Sequence, residues 1–322
     1  MIEQGGDGRK RPIYDLHIVQ LLRYDEAIQG ERRAILLSAA MNRSAHAPES
    51  ASTSLAPAGG GWHCSHLFYS FDRGALARLT AAERAAGGVQ FVAALDPADS
   101  ESPVRLQTSI ASGHKADFGV MLLDPDPLKI DRVHQRLMAG PFGPALVPGY
   151  SFVSMTEISE YVQSVDQFGE RLIAEGMDAG GAEYRTRVKA YADRLREMNR
   201  QRLTPDFPAY RSTCFYPMNK KRKVGENWFL LSKEDRSRMM IEHAKSGMAF
   251  AGRVSQLITV GLGFEDWEWG VTLWAANPEY LKEIVYRMRF DEASARYAEF
   301  GPFIVSYVST ASEILEHCRV NK

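Results

Sequence analysis

Phe118-Gly-Val-Met-Leu-Leu-Asp-Pro-Asp-Pro127 and Trp269-Gly-Val-Thr-Leu-Trp-Ala-Ala-Asn-Pro278 align without a gap. Each is an apolar strand that runs through an Asx-Pro pair into a helix, with proline where the first helical turn has no use for an N–H. An internal duplication is the simplest account. Around the first copy the order reads β, α, β, β, α, β: an apolar stretch at 62–71, a Leu/Ala helical run at 74–86, a strand at Val-Gln-Phe-Val-Ala-Ala-Leu near 89, a strand at 117–123, a helix after Asp126-Pro127 and a strand near 148. The second copy begins at Cys214. Four strands and two helices in this order predict an α+β fold of two tandem ferredoxin-like βαββαβ repeats, with helices on one face of antiparallel sheet.

The repeats occupy 62–156 and 207–310, leaving an N-terminal extension with a Pro/Gly/Ser-rich linker (1–61), a helical connection (157–206) and a C-terminal tail (311–322). The linker at 46–61 is too poor in apolar residues to offset its ordering entropy. An amphipathic stretch at 16–28 reads as a short helix or a loosely attached extension, with no readable function. The 322 residues suffice for two cores. No apolar run reaches the roughly 18 residues of a membrane span, and no secretory h-region follows the basic start, so a cytoplasmic protein is expected. With 39 basic and 40 acidic residues well mixed, there is no basic stripe for nucleic acid. Cys64, Cys214 and Cys318 lack the spacing of a disulfide framework or zinc site.

Chemistry concentrates in the second repeat. Ser232 with Asp235 marks a helix start, and Met239, Met240, His243, Ala244 and Gly247 follow on one predicted apolar face. His243 there is a hydrogen-bonded core histidine or a metal ligand, and Gly247 would leave space beside it for a planar ligand. In the next strand Val254, Gln256, Ile258 and Val260 share a face; a buried Gln256 amide there needs a partner, either a ligand or a neighbouring backbone group. Upstream, Pro217 separates Tyr216 from Lys220, and a turn there would direct phenol and ammonium into one pocket.

Tyr216-Pro-Met-Asn-Lys-Lys-Arg222, Glu226-Asn-Trp-Phe229, Met239-Met-Ile-Glu-His243 and Met288-Arg-Phe-Asp-Glu-Ala-Ser-Ala-Arg-Tyr-Ala-Glu-Phe-Gly-Pro-Phe303 together resemble the coproheme decarboxylase branch of the chlorite dismutase-like superfamily. The resemblance covers about 62–308 and is strongest from 202 to 308; Asn219 stands where serine is expected. It implies a dimeric α+β barrel whose eight strands form a barrel-like sheet, a homopentamer, and a haem pocket in the second repeat. His243 matches the iron ligand, Gln256 the distal residue, Tyr216 the radical-forming tyrosine and Lys220 the lysine of the second decarboxylation. Arg202, Arg289 and Ser294 match positions near propionates, and Met218 and Trp228 match pocket residues.

The implied substrate and cofactor is iron-coproporphyrin III (coproheme), converted with hydrogen peroxide through a tyrosyl radical to haem b, and pathway logic adds transient contact with the coproporphyrin ferrochelatase. The alternatives are a chlorite dismutase, disfavoured because Gln256 replaces the distal arginine that activity needs, a haem peroxidase, and a non-catalytic haem-binding protein.

Overall fold

The computed structural model describes residues 54 to 320; the amphipathic stretch at 16–28 and the first half of the expected linker lie outside them. The first repeat comprises β1 (His63–Phe71), α1 (Arg73–Arg78), α2 (Ala81–Ala94), β2 (Arg105–Ala111), β3 (Phe118–Asp124), α3 (Pro127–Ala139) and β4 (Leu146–Thr156). Helices α4 (Val165–Ala174) and α5 (Ala182–Leu203) form the connection. The second repeat comprises β5 (Ser212–Lys220), a two-residue pair β6 (Arg222–Lys223) and β7 (Glu226–Asn227), α6 (Lys233–Met248), β8 (Val254–Val260), β9 (Trp269–Ala275), α7 (Pro278–Met288), α8 (Glu292–Ala295), β10 (Ala298–Phe300) and β11 (Ile304–Val308). Helix α9 (Ala311–His317) follows.

The expected strand near 89 is instead the C-terminal half of α2. Thr80 and Glu83 close a reciprocal capping box at the start of that helix, so it propagates through the Gly87-Gly88 pair that reads as a break. Gly87 serves close packing: a Cβ there would stand 2.6 Å from the Phe142 ring. The second strand of the repeat is β2, whose Arg-Leu-Gln-Thr-Ser-Ile-Ala sequence carries little hydrophobic signal. The C-terminal segment is no loose tail, because Ile314, Leu315, Cys318 and Val320 join the first core with Phe71, Phe91, Phe118 and Phe142.

All pairings in the main sheet are antiparallel, and they close into a ring: β5 pairs β11, then β2, β3, β1, β4, β8 and β9 follow, and β9 pairs β5 again. Closure removes open sheet edges. The Asx-Pro pairs behave alike in both repeats. Asp126 accepts a hydrogen bond from the Leu128 amide, and Asn277 from the Glu279 amide, each at 2.9 Å. Loss of either N-cap oxygen, in Asp126→Ala or Asn277→Ala, is expected to lower stability by about 1 kcal/mol in urea unfolding; no change in either variant would show that these caps do not hold their helices.

Candidate functional site

Strand alternation and register build the floor of the site. Tyr216 lies opposite Val271, which lies opposite Ile258; Cys214, Leu273 and Gln256 form the neighbouring row, and Met218, Trp269 and Val260 the next. Residues directly opposite share a face, so Tyr216, Met218, Gln256 and, by alternation along β5, Lys220 all project from one side of the sheet. Pro217 makes no turn; the strand continues through it, and period-2 alternation is what brings Tyr216 and Lys220 together.

Gln256 is exposed, not buried. Strand β8 buries its other face through Leu257 and Thr259, while the side bearing Val254, Gln256, Ile258 and Val260 stays open or half-buried. An apolar face left half-covered beside a buried tyrosine is what a flat apolar ligand requires. The Tyr216 ring stacks on Phe303, with centroids 4.3 Å apart and planes 20° apart, and Phe300 is tilted against it at 5.9 Å. Its hydroxyl makes no hydrogen bond to the described residues. Burial pushes the phenol well above its usual pKa, with Cys214 adding to the shift and Arg289 opposing it, so it holds its proton at neutral pH. The Arg289 guanidinium lies over the Phe300 ring at 4.1 Å. It is exposed and placed to meet a carboxylate at the edge of this face.

His243 comes from α6, whose N-cap Ser232 accepts from the Asp235 amide as expected. The inward residues of that helix are Met239, His243 and Ser246, whereas Ala244 is exposed. The space beside Gly247 is taken by Met288, whose Cε would stand 3.0 Å from a Cβ there; the glycine lets α6 and α7 approach. His243 Nδ1 is 3.1 Å from Asp291 Oδ2, and Ser246 Oγ donates to Asp291 Oδ1 at 2.7 Å. An ionised carboxylate only accepts, so Nδ1 carries the proton and Nε2 keeps its lone pair for a metal. Burial lowers the imidazole pKa; Asp291 opposes the shift and Lys220 adds to it. The neutral ligand form is therefore favoured.

Lys220 is buried. Its ammonium donates to the Ala293 carbonyl at 2.9 Å and lies 4.2 Å from the centroid of the Trp228 ring. Its amide donates to Glu268 Oε2 at 2.8 Å, and Asn219 Oδ1 in turn accepts from the Glu268 amide at 2.7 Å. Ser294 sits beside the imidazole, its Oγ 3.5 Å from Nδ1, rather than beside Arg289. Arg202 is half-buried; burial lowers its pKa and the Glu157 carboxylate opposes that shift, and no hydrogen bond, ion pair or ring contact among the described residues joins it to Tyr216, Lys220 or His243. Met218 packs with the Tyr216 cluster, and Trp228 with Met239, Ala293 and Tyr297.

Sequence reading missed Asp291, Ser246, Glu268 and Phe303. Asp291 carried a local signal, but as an N-cap, the place it holds ahead of α8. The other three are recognisable only once distant segments meet.

A chlorite dismutase family model matches residues 83–309. A structure described as a novel heme-binding protein from Thermus thermophilus is 28% identical, covers 80% of this chain and 95% of its own, and superposes with a TM-score of 0.64. A variant of chlorite dismutase from Candidatus Nitrospira defluvii has the same fold at 14% identity, covering 81% and 96%, with a TM-score of 0.62. The chain belongs to the chlorite dismutase family. Members of this family are haem-dependent enzymes, and the neutral His243, its buried carboxylate and the half-covered apolar face suit a haem. Among the described residues no helix is long and apolar enough to cross a membrane.

Burial lowers the Lys220 pKa from 10.5 to about 8, with Glu268 opposing the shift. Between these values the unfolded chain binds the proton that the folded chain has released, so this group's contribution to stability rises with pH across that window. Urea unfolding from about pH 7.5 to about pH 10 should show wild type gaining stability relative to Lys220→Met; a pH-independent difference would refute the buried ammonium.

Proposed function

We propose that the chain is a coproheme decarboxylase that turns two propionates of iron-coproporphyrin III into vinyls and yields haem b. For each side chain, one propionic acid and one hydrogen peroxide give one vinyl, one carbon dioxide and two waters. The observation that carries this reading is Tyr216: a buried, protonated phenol without a hydrogen-bond partner among the described residues, on the same strand face as Lys220. A phenol of this kind can lose its hydroxyl hydrogen and then take one from a carbon held against it, and positioning is what allows that transfer to compete with escape of the radical.

The bound iron porphyrin supplies the oxidising power once peroxide is present. His243, oriented by Asp291, would hold the iron. Arg289 would grip a propionate that is retained, and Arg202 would do so only if α5 or the ligand brings them together. Lys220 would supply charge and a proton beside the reacting carboxylate. Gln256, a neutral amide on the open face, gives no fixed charge to an oxyanion, which favours decarboxylation over chlorite chemistry. On this reading the protein works in the cytoplasm as a homopentamer and receives coproheme from the ferrochelatase.

Titration with ferric coproheme followed by peroxide and mass analysis of the extracted porphyrin should reveal two successive carboxyl losses. Binding without loss would leave a peroxidase or a haem carrier. Tyr216→Phe is expected to bind coproheme with an unchanged Soret band and to decarboxylate about a hundredfold more slowly or worse; full turnover in that variant excludes the tyrosyl route. His243→Ala should alter the Soret band, and an unaltered spectrum would remove it as ligand. Gln256→Arg is expected to change chlorite turnover, and a change in decarboxylation with chlorite turnover unaltered would count against the role given to Gln256.

A further inference from the structure

Two oxidisable aromatic residues border the proposed pocket, and their rings face different surroundings. Tyr216 is stacked on the neutral ring of Phe303. Trp228, equally buried, follows β7 and packs against Tyr297 at a centroid distance of 5.5 Å and against Met239, one helical turn before His243. The place of the cation separates the two environments: Arg289, the cation near Tyr216, lies over the Phe300 ring, whereas the Lys220 ammonium rests 4.2 Å from the Trp228 ring centroid itself, fixed there by its hydrogen bond to the Ala293 carbonyl. We infer that Lys220 guards Trp228: the ammonium on the indole face opposes removal of an electron from that ring, so oxidising equivalents arising in the pocket are drawn from Tyr216.

A cation is attracted to an intact π-face. Removing an electron from the indole replaces that attraction with repulsion between two positive charges in a buried site, where screening is weak. The charge persists at neutral pH, because burial brings the Lys220 pKa down only to about 8 while Glu268 pushes it back up. Without the guard, the indole would lose one electron and its N–H proton, then a second electron, and take up oxygen from water. With hydrogen peroxide as acceptor, one peroxide converts a ring C–H into C–OH and releases one water. The source of the oxidant rests on the proposed function; the electrostatics do not.

The test compares full-length wild type with Lys220→Met, which removes the charge at similar length, and Lys220→Arg, which keeps it. One arm exposes the haem-free protein to azide radicals, a one-electron oxidant; the other loads ferric haem b and adds peroxide in steps. In both, peptide mass analysis measures gain of one oxygen at Trp228, with Trp274 as internal reference. Lys220→Met should raise Trp228 oxidation by roughly tenfold or more, with Lys220→Arg near wild type. No rise in the methionine variant, or an equal rise in the arginine variant, overturns the inference. Should Lys220→Met fail to fold by circular dichroism, wild type decides: Trp228 must be oxidised less than Trp274, which is as deeply buried and has no cation over its ring among the described residues, and the reverse order overturns the guard. Absence of a Soret band in the haem arm would instead sink the functional reading, leaving the azide arm to judge the guard.

Discussion

Strand β5 is hydrogen-bonded along both edges, to β9 on one side and to β10 and β11 on the other, and the ring of strands closes through it. The N–H and C=O of one strand residue point to the same edge. Pro217 O accepts from the Gly301 amide, so the missing N–H of Pro217 faces the break between β10 and β11, where no ladder bond is lost. Gly301 is required there because a Cβ would stand 2.6 Å from the Pro217 ring. This junction brings Phe300 and Phe303 onto Tyr216. The closure of the sheet and the wall of the candidate pocket are thus one piece of construction.

Around that wall the polar groups are tied to one another. Asn219, where the family resemblance leads to serine, uses its side-chain oxygen to hold the Glu268 amide, and Glu268 holds the amide of Lys220. Glu268 Oε1 is buried without a hydrogen bond, with the Arg222 guanidinium 3.5 Å away. A carboxylate in this position favours the ammonium of Lys220 against its burial. Asp291 works similarly for His243, with Ser246 occupying its second oxygen. Both candidate residues are therefore held by buried carboxylates from other segments, His243 through its ring and Lys220 through its backbone amide.

The heme-binding relative and the chlorite dismutase share this scaffold at 28% and 14% identity. A common scaffold does not settle which reaction takes place, since chemistry follows from a few side chains placed on it. On the proposed reading those are a neutral amide at Gln256, a buried phenol at Tyr216, and a cation at Lys220 held against Trp228.

The repeated strand–Asx-Pro–helix unit was legible in the sequence because it is local: N-cap chemistry and apolar periodicity need only neighbouring residues. The same holds for most of the candidate residues, which lie within four short stretches of sequence; Arg202 and Gln256 lie outside them. Local reading failed where a distant partner decided the outcome. Gly87-Gly88 reads as a break until Phe142 packs against the helix, residues after 310 read as a tail until Ile314 and Leu315 enter the first core, and Gln256 reads as buried because aliphatic alternation does not say which face of β8 the rest of the fold covers. The support of His243 by Asp291, of Lys220 by Glu268 and Ala293, and of Tyr216 by Phe303 joins segments separated along the chain. Neighbouring residues were enough to specify the repeats and the chemical groups available. Which faces stay open and which charges meet was left to long-range packing, because both depend on the closure of the ring and on helices from distant segments settling upon it.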